Sequence, residues 1–335
     1  MPTHLFRRLR SAGVLSAALL LSSGPARESR LAAGPTSDRP GGRQIEAARL
    51  MERSLASIKR LRLSKGWPID RALDPNETGI IGEEFTPLTT SLGEVSAKRT
   101  SANPAFAALL VNYFEEAGLE RGDVVAVGAS GSFPALLLAT LCAARVLELE
   151  PIVIYSIGAS MHGANLPGFT FVDMLAGLRA DGLLPYRLAA VSAGGRQDRG
   201  TGVLFDEEGT TLLAEARRSG LPVVEGASLA DSIQRRLRIY DTAGGGRPVR
   251  CFVNVGGASA SFGDTPASLA LPNGLVLKVP GVPQSPTRGV VFEFASRGIP
   301  VVHLLYVRGI ARDNNLPFDP IPLPPVGEGG VFERH

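Results

Sequence analysis

Cysteine is almost absent. The 335 residues contain two, Cys142 and Cys251, each in an apolar context. Both read as buried small hydrophobes; export would also permit one bridge between them. The four histidines are scattered, and no CxxC, HExxH or His-rich tract occurs, so no metal site is expected. No Walker-type Lys-Ser/Thr appears, which argues against an ATP-driven ligase. Formal net charge is only +3, and no basic run is interleaved with aromatics. Nucleic acid is therefore not an expected partner, and no motif calls for a cofactor.

What is present is core-forming sequence. Hydrophobic residues make up 44% and charged residues 20%, which sets global disorder aside and allows one large α/β domain or two smaller ones. The start of the chain differs. Arg7, Arg8 and Arg10 precede a short apolar run, Ala12 to Leu21, and small and polar residues follow. That charged-then-apolar plan is that of an export segment over residues 1–26, either a cleaved signal peptide or an uncleaved anchor. The run is short against the about 20 residues of a membrane span. The protein is thus expected in the periplasm or on the outer side of the cytoplasmic membrane. Residues 27–43 hold Gly, Pro, Ser and Arg without periodicity and read as a linker.

An α/β domain is expected over 44–330. Its first part, 44–100, opens with an amphipathic helix from Gln44 to Leu63, then turns into hydroxyl-rich loops that wrap a rim. Lys98 and Arg99 follow these loops. Asn103-Pro104 starts the next helix, with Asn as cap and Pro at the first position. The core, 101–315, alternates strands and helices. Strands are predicted at Val124–Gly128, Pro151–Ile157, Arg187–Val191, Val249–Val255 and Ile299–Val307, with a short extra one at Pro222–Glu225. Helices are predicted after Pro134, over Thr170–Ala180, and near 208–219 and 228–240. From Leu316 the chain is Pro-rich and reads as an extended surface tail, 316–335.

Near-continuous apolar strands between helices predict a mostly parallel, Rossmann-like sheet covered by helices on both faces. Four of the strands end in Gly/Ser-rich turns. These are Gly128-Ala129-Ser130-Gly131-Ser132, Gly158-Ala159-Ser160, Ser192-Ala193-Gly194-Gly195-Arg196 and Gly256-Gly257-Ala258-Ser259. In such sheets ligands bind beyond the carboxyl ends of the strands, so all four turns are expected at one rim.

Several stretches together resemble the poly-γ-glutamate system protein family of bacteria. They are Asp74-Pro75-Asn76-Glu77-Thr78-Gly79-Ile80-Ile81-Gly82, Lys98-Arg99-Thr100-Ser101, Gly122-Asp123 through Ala135, Gly158-Ala159-Ser160 with Gly163-Ala164-Asn165, Asn254-Val255-Gly256-Gly257, and Asp319-Pro320-Ile321-Pro322-Leu323-Pro324. They span roughly residues 45 to 330 in order. His162 departs from the pattern, where an aromatic is expected. The resemblance implies an envelope accessory of poly-γ-glutamate synthesis or export. Its implied partners are the polymer or a glutamyl precursor, and membrane components of the same system. It brings no established reaction.

Two chemistries compete for the first Gly/Ser turn. As an anion cradle, Gly131 and Ser132 offer backbone N–H groups at a helix start, and Ser130 and Ser132 add hydroxyls. Lys98, Arg99, Arg196 and Arg199 lie in or beside loops that reach the same rim, where a guanidinium matches a carboxylate in two places. The other stretches carrying the resemblance add Ser160, Asn165, Asn254, Gly256 and Gly257 as ligand-binding candidates. As a near miss of G-x-S-x-G, the same turn would present Ser130 as a nucleophile. Asp198 (or Asp173) and His303 then follow in hydrolase order, for attack on γ-glutamyl bonds.

Overall fold

Two opposed residue parities along the central strand organise the molecule. Between Val124 and Ser130, Val125, Val127 and Ala129 join one apolar cluster, and Val124 and Ala126 join another. Side chains alternate along a strand, so this one needs cover on both faces. The computed structural model describes residues 41–204 and 210–333.

In chain order its elements are α1 (Gly42–Ser64), β1 (Thr89–Ser91), α2 (Val95–Ser101), α3 (Ala105–Glu116), β2 (Val124–Ser130), α4 (Pro134–Val146), β3 (Glu150–Ser156), β4 (Ala159–Ser160), α5 (Phe171–Ala180) and β5 (Leu188–Ser192). Then come α6 (Thr210–Arg218), α7 (Leu229–Ala243), β6 (Val249–Val255), α8 (Ser259–Phe262), α9 (Pro266–Leu269), β7 (Gly274–Val276), α10 (Gly289–Ser296), β8 (Val301–Leu304) and α11 (Val307–Asp313).

Among the described residues one sheet has six strands in the order β5-β3-β2-β6-β8-β7. All its pairs are parallel except β7 with β8. A separate parallel pair joins β1 to β4. The sheet is α/β and Rossmann-like. β2 comes first in its sequence order yet lies at the centre. The chain runs outward from it through β3 and β5, then returns to place β6 on the other flank. That reversal opens a crevice beyond the carboxyl ends of β2 and β6.

Helices cover both faces. α1, α3, α4 and α5 bury their apolar sides with Val125, Val127 and Val253. α7 and α10 pack with Val124, Ala126 and Phe252 on the other face. There Phe252 stacks on Phe294 at 5.1 Å between ring centroids and meets Tyr240 edge-on at 6.2 Å. Tyr240 is fully buried, and its hydroxyl donates to Val127 O at 2.9 Å, so its polar tip is satisfied.

Helix starts follow local chemistry. Asn103 Oδ1 accepts the Ala105 N–H before α3, and Ser228 Oγ accepts the Asp231 N–H before α7. Thr170 and Asp173 form a capping box on α5, which gives Asp173 a structural task. α4 has no side-chain cap; the hydroxyl of Ser132 before it accepts the Ser160 N–H at 3.1 Å. Gly128 and Gly131 are needed for close approach rather than unusual torsions. A Cβ on Gly131 would lie 2.7 Å from Ile157 O.

Other expectations shift. A short helix, α8, follows Gly256-Gly257, where none is predicted. Between Gly263 and Gly298 the structure places α9, β7 and α10, also unpredicted. The Pro222–Glu225 strand reduces to one parallel bridge, Val191 to Val223. Both cysteines are free and buried, on α4 and β6, and burial pushes their thiols up to about 12. The tail is pinned, but it is not a surface strand to its end: Gly330–Phe332 form a 3-10 turn, and Val331 and Phe332 are buried in the core. Asp319 takes a two-pronged pair from Arg99, and the Arg308 guanidinium lies 3.8 Å over the Phe318 ring. The predicted export segment, 1–26, and residues 27–40 of the linker lie outside the described residues. No described helix is long and apolar enough to cross a membrane.

Phe252→Ala removes the centre of the aromatic stack. It is expected to destabilise the fold by about 3–5 kcal/mol, read as a lower urea midpoint at unchanged slope.

Candidate functional site

The carboxyl ends of β2, β3, β5 and β6 all deliver small residues to one cavity of about 410 Å³. β2 and the turn after it contribute Ser130, Ser132 and Phe133, β3 and the turn after it contribute Ser156 and Gly158, and β4 adds Ser160. The turn after β5 adds Gly194, Gly195 and Arg196, and the turn after β6 adds Gly257, Ala258 and Ser259. The four predicted rim turns therefore do converge. A fifth wall, Thr90–Glu94, comes from the end of β1 and the loop that leads to α2, and Leu305 follows β8. Hydrogen bonds fasten the walls together. Thr90 Oγ1 donates to Ala159 O at 3.2 Å, and Ser259 Oγ donates to Gly195 O at 3.3 Å.

Lys98 is the unusual side chain. It sits on α2, is 2% exposed, and still reaches the cavity wall. Its Nζ donates to Ser160 Oγ at 2.6 Å and to the Ser132 carbonyl, and it lies 3.8 Å over the Phe133 ring. No carboxylate pairs with it among the described residues. Burial pushes its ammonium from the ordinary 10.5 down to about 7. Ser132 ties the group together: its carbonyl holds Lys98, its hydroxyl holds the Ser160 N–H, and its own N–H reaches Ser130 Oγ at 3.4 Å.

Among the described residues, the charge at the mouth is positive in effect. Arg196 is exposed, and its guanidinium has no acidic partner among the described residues. Glu94 also lines the cavity, but its carboxylate accepts from Arg308 and Ser96, each at 2.6 Å. The Ser96 hydroxyl, and after it the pair with Arg308, hold that carboxyl below its usual range.

The predicted catalytic triad is not assembled. Asp198 is buried and salt-bridged to Arg236 at 2.9 Å, with both side chains essentially without solvent. It also accepts from Ser192 Oγ at 2.6 Å, and Arg236 donates to Ser156 Oγ and Ser192 Oγ. This network props the turn after β5 from beneath. His303 bonds Asn254 at 3.1 Å and stacks on Phe262 at 5.5 Å; burial pushes its imidazole down to about 4. Asn254 stands between Gly128 and His303 in the sheet register. His303 is therefore two strands from β2, roughly 10 Å away. Ser130 itself packs against Gly256, where φ is 82° and a Cβ would lie 2.7 Å from Ser130 Oγ.

Of the predicted ligand-binding residues, Lys98, Ser130, Ser132, Ser160, Arg196 and Gly257 line the cavity. The others do not. Arg99 is taken by Asp319, and Arg199 is exposed away from the lining. Asn165 spends its amide on Glu83 and Thr89, holding the rim loop. Asn254 holds Gly256 O and His303. Gly131 and Gly256 shape the turns without facing the cavity. Sequence reasoning missed Thr90–Glu94 as a wall, although the hydroxyl-rich loop before Lys98 pointed there. It also missed Ser156 and the Arg236 support; no local signal marks either.

No protein-family model, curated protein or solved structure matches this chain.

Two outcomes follow from the buried charges. Asp198→Ala strands Arg236 without its counter-ion and is expected to destabilise by about 3–5 kcal/mol. Pairing Asp198→Leu with Arg236→Met is expected to recover most of that in the same urea experiment. For Lys98, the unfolded chain keeps a proton that the folded chain has lost between about 7 and 10.5. Stability therefore rises with pH across that window, at up to ~1.4 kcal/mol per pH unit. Lys98→Met is expected to flatten the rise.

Proposed function

We propose that the cavity binds γ-linked polyglutamate or a glutamyl precursor, in an exported accessory protein of poly-γ-glutamate synthesis. One observation carries the reading. The four sheet-end turns close on a cavity whose two cations, Lys98 and Arg196, lack acidic partners among the described residues, while its one acid, Glu94, is already paired.

A γ-linked glutamate chain carries one free carboxylate and one amide per residue. The exposed Arg196 fork suits the carboxylate at the mouth, which it can meet in two places. Deeper in, the hydroxyls of Ser130, Ser132 and Ser160 suit an amide. The cavity volume falls in the range of small-molecule sites, so it takes a short stretch of chain rather than the whole polymer. α4, of 13 residues, starts directly behind Ser132 and Phe133, so its positive end also faces the lining. The resemblance over residues 45 to 330 supplies the candidate anion.

The full chain titrated calorimetrically with γ-linked oligoglutamate is expected to bind, more weakly as salt rises. Arg196→Ala is expected to weaken binding roughly tenfold, the share of one charge-assisted pair. Absence of binding at low ionic strength, or full binding by Arg196→Ala, rejects the reading.

A further inference from the structure

We propose that Ser160 and Lys98 form a nucleophile–base pair that opens an amide bond held in the cavity, with Ser132 as the residue that positions both. The choice of a γ-glutamyl amide as substrate rests on the binding reading above; the pair itself rests on geometry. Ser160 Oγ and Lys98 Nζ are 2.6 Å apart, and both residues line the cavity. That is the contact a general base needs with the hydroxyl it deprotonates. Ser130, the serine singled out by its motif, has no such base among the described residues: its hydroxyl oxygen accepts the Ser132 N–H.

The surroundings suit the task. Ser160 is fixed by the ladder of β4 with β1 and by its N–H to Ser132 Oγ. The rim loop passes directly over its hydroxyl at Gly93, where even a Cβ would lie 3.1 Å from Ser160 Oγ. A neutral lysine keeps two N–H groups and one lone pair. One N–H goes to the Ser132 carbonyl, which leaves the lone pair for the Ser160 hydroxyl. Burial without a carboxylate partner makes that neutral form accessible near pH 7. The other charged or titratable groups nearby are few. Glu94 at the mouth is paired with Arg308, and Arg99 beside Lys98 is paired with Asp319. His162 lies two residues past Ser160, and burial holds its imidazole below the ordinary value. Arg196 completes the rim.

The step balances without a co-reactant. Ser160 Oγ attacks the amide carbonyl carbon as its proton passes to Lys98 Nζ. The tetrahedral oxyanion forms beside the positive end of α4. The C–N bond then breaks, and the Lys98 proton goes to the leaving amine. Water, or the amine of another glutamyl unit, next attacks the Ser160 ester and gives its proton to Lys98. The ester C–O bond breaks, and that proton returns to Ser160 Oγ. Water gives hydrolysis; an amine gives transfer.

The test is covalent labelling of the full chain with a small alkyl fluorophosphonate, in which the new Oγ–P bond expels fluoride and the hydroxyl proton passes to Lys98. Peptide mass mapping is expected to place the adduct on Ser160, at a rate that climbs as pH passes about 7. Ser160→Ala is expected to abolish it, and Lys98→Met to slow it at least ~100-fold while thermal melting shows the variant folded. No adduct on Ser160, an adduct on Ser130 instead, or undiminished Ser160 labelling in folded Lys98→Met overturns the pair. Should Lys98→Met not fold, a wild-type labelling rate that stays flat from about pH 6 to about pH 9 overturns it equally. γ-Linked oligoglutamate is expected to be cleaved by the wild type, read as new amine ends, and left intact by Ser160→Ala. Labelling of Ser160 without oligoglutamate binding would keep the pair and reject the γ-glutamyl substrate. Binding without labelling would keep the substrate reading and reject the pair.

Discussion

β2 has no polar freedom along its length. It is flanked by β3 and β6, covered on both faces, and buried at every residue. A strand so enclosed can carry only small and apolar side chains until it leaves the sheet, because an unpaired polar group inside would cost on the order of 1–3 kcal/mol. Chemistry is thus displaced to its carboxyl end. β3, β5 and β6 share the same parallel direction, so the same rule moves their serines and glycines to the same edge. The cavity follows from the burial of the strands that point at it.

The rim still has to be held in shape, and buried polar bonds do this. The Arg236–Asp198 pair fixes the turn after β5 through Ser156 and Ser192. Asn165 fixes the loop at residues 83–89, and Ser132 links β2 to β4. These bonds differ in kind from the one at Lys98. Asp198 and Arg236 neutralise each other, so their contribution is positional. Lys98 is buried among neutral partners only, and its environment leaves one charge unanswered.

Much of this was legible in the sequence, and the reason is periodicity. Apolar runs of strand length alternate with helical patterns, so the parallel sheet and the four rim turns could be read without knowing strand order. The contacts that decide chemistry were not legible. Lys98 and Ser160 are 62 positions apart, and Asp198 and Arg236 are 38 apart. Each meeting depends on β2 being central, which local pattern cannot report. The G-x-S-x-G resemblance drew attention to Ser130, yet the register puts His303 two strands away and gives Asp198 to an arginine. Ser132 was read as a hydroxyl of the anion cradle, but the Ser160 N–H already donates to that hydroxyl. The unpredicted elements between Gly263 and Gly298 are short or hydrophobic throughout, so they lack a clear helical or strand period.

The tail has a consequence for the order in which the molecule is completed. α2, which carries Lys98, is braced from outside by Asp319 through Arg99 and by Arg308 through Glu94. Asn76 holds Pro320, and Asn112 on α3 holds Val331. The brace on Arg99 comes from a residue 220 positions later. During synthesis the early helices emerge long before their outer supports exist. The cavity wall that bears the lysine is therefore among the last parts to become rigid, and a chain still on the ribosome carries an unfinished site.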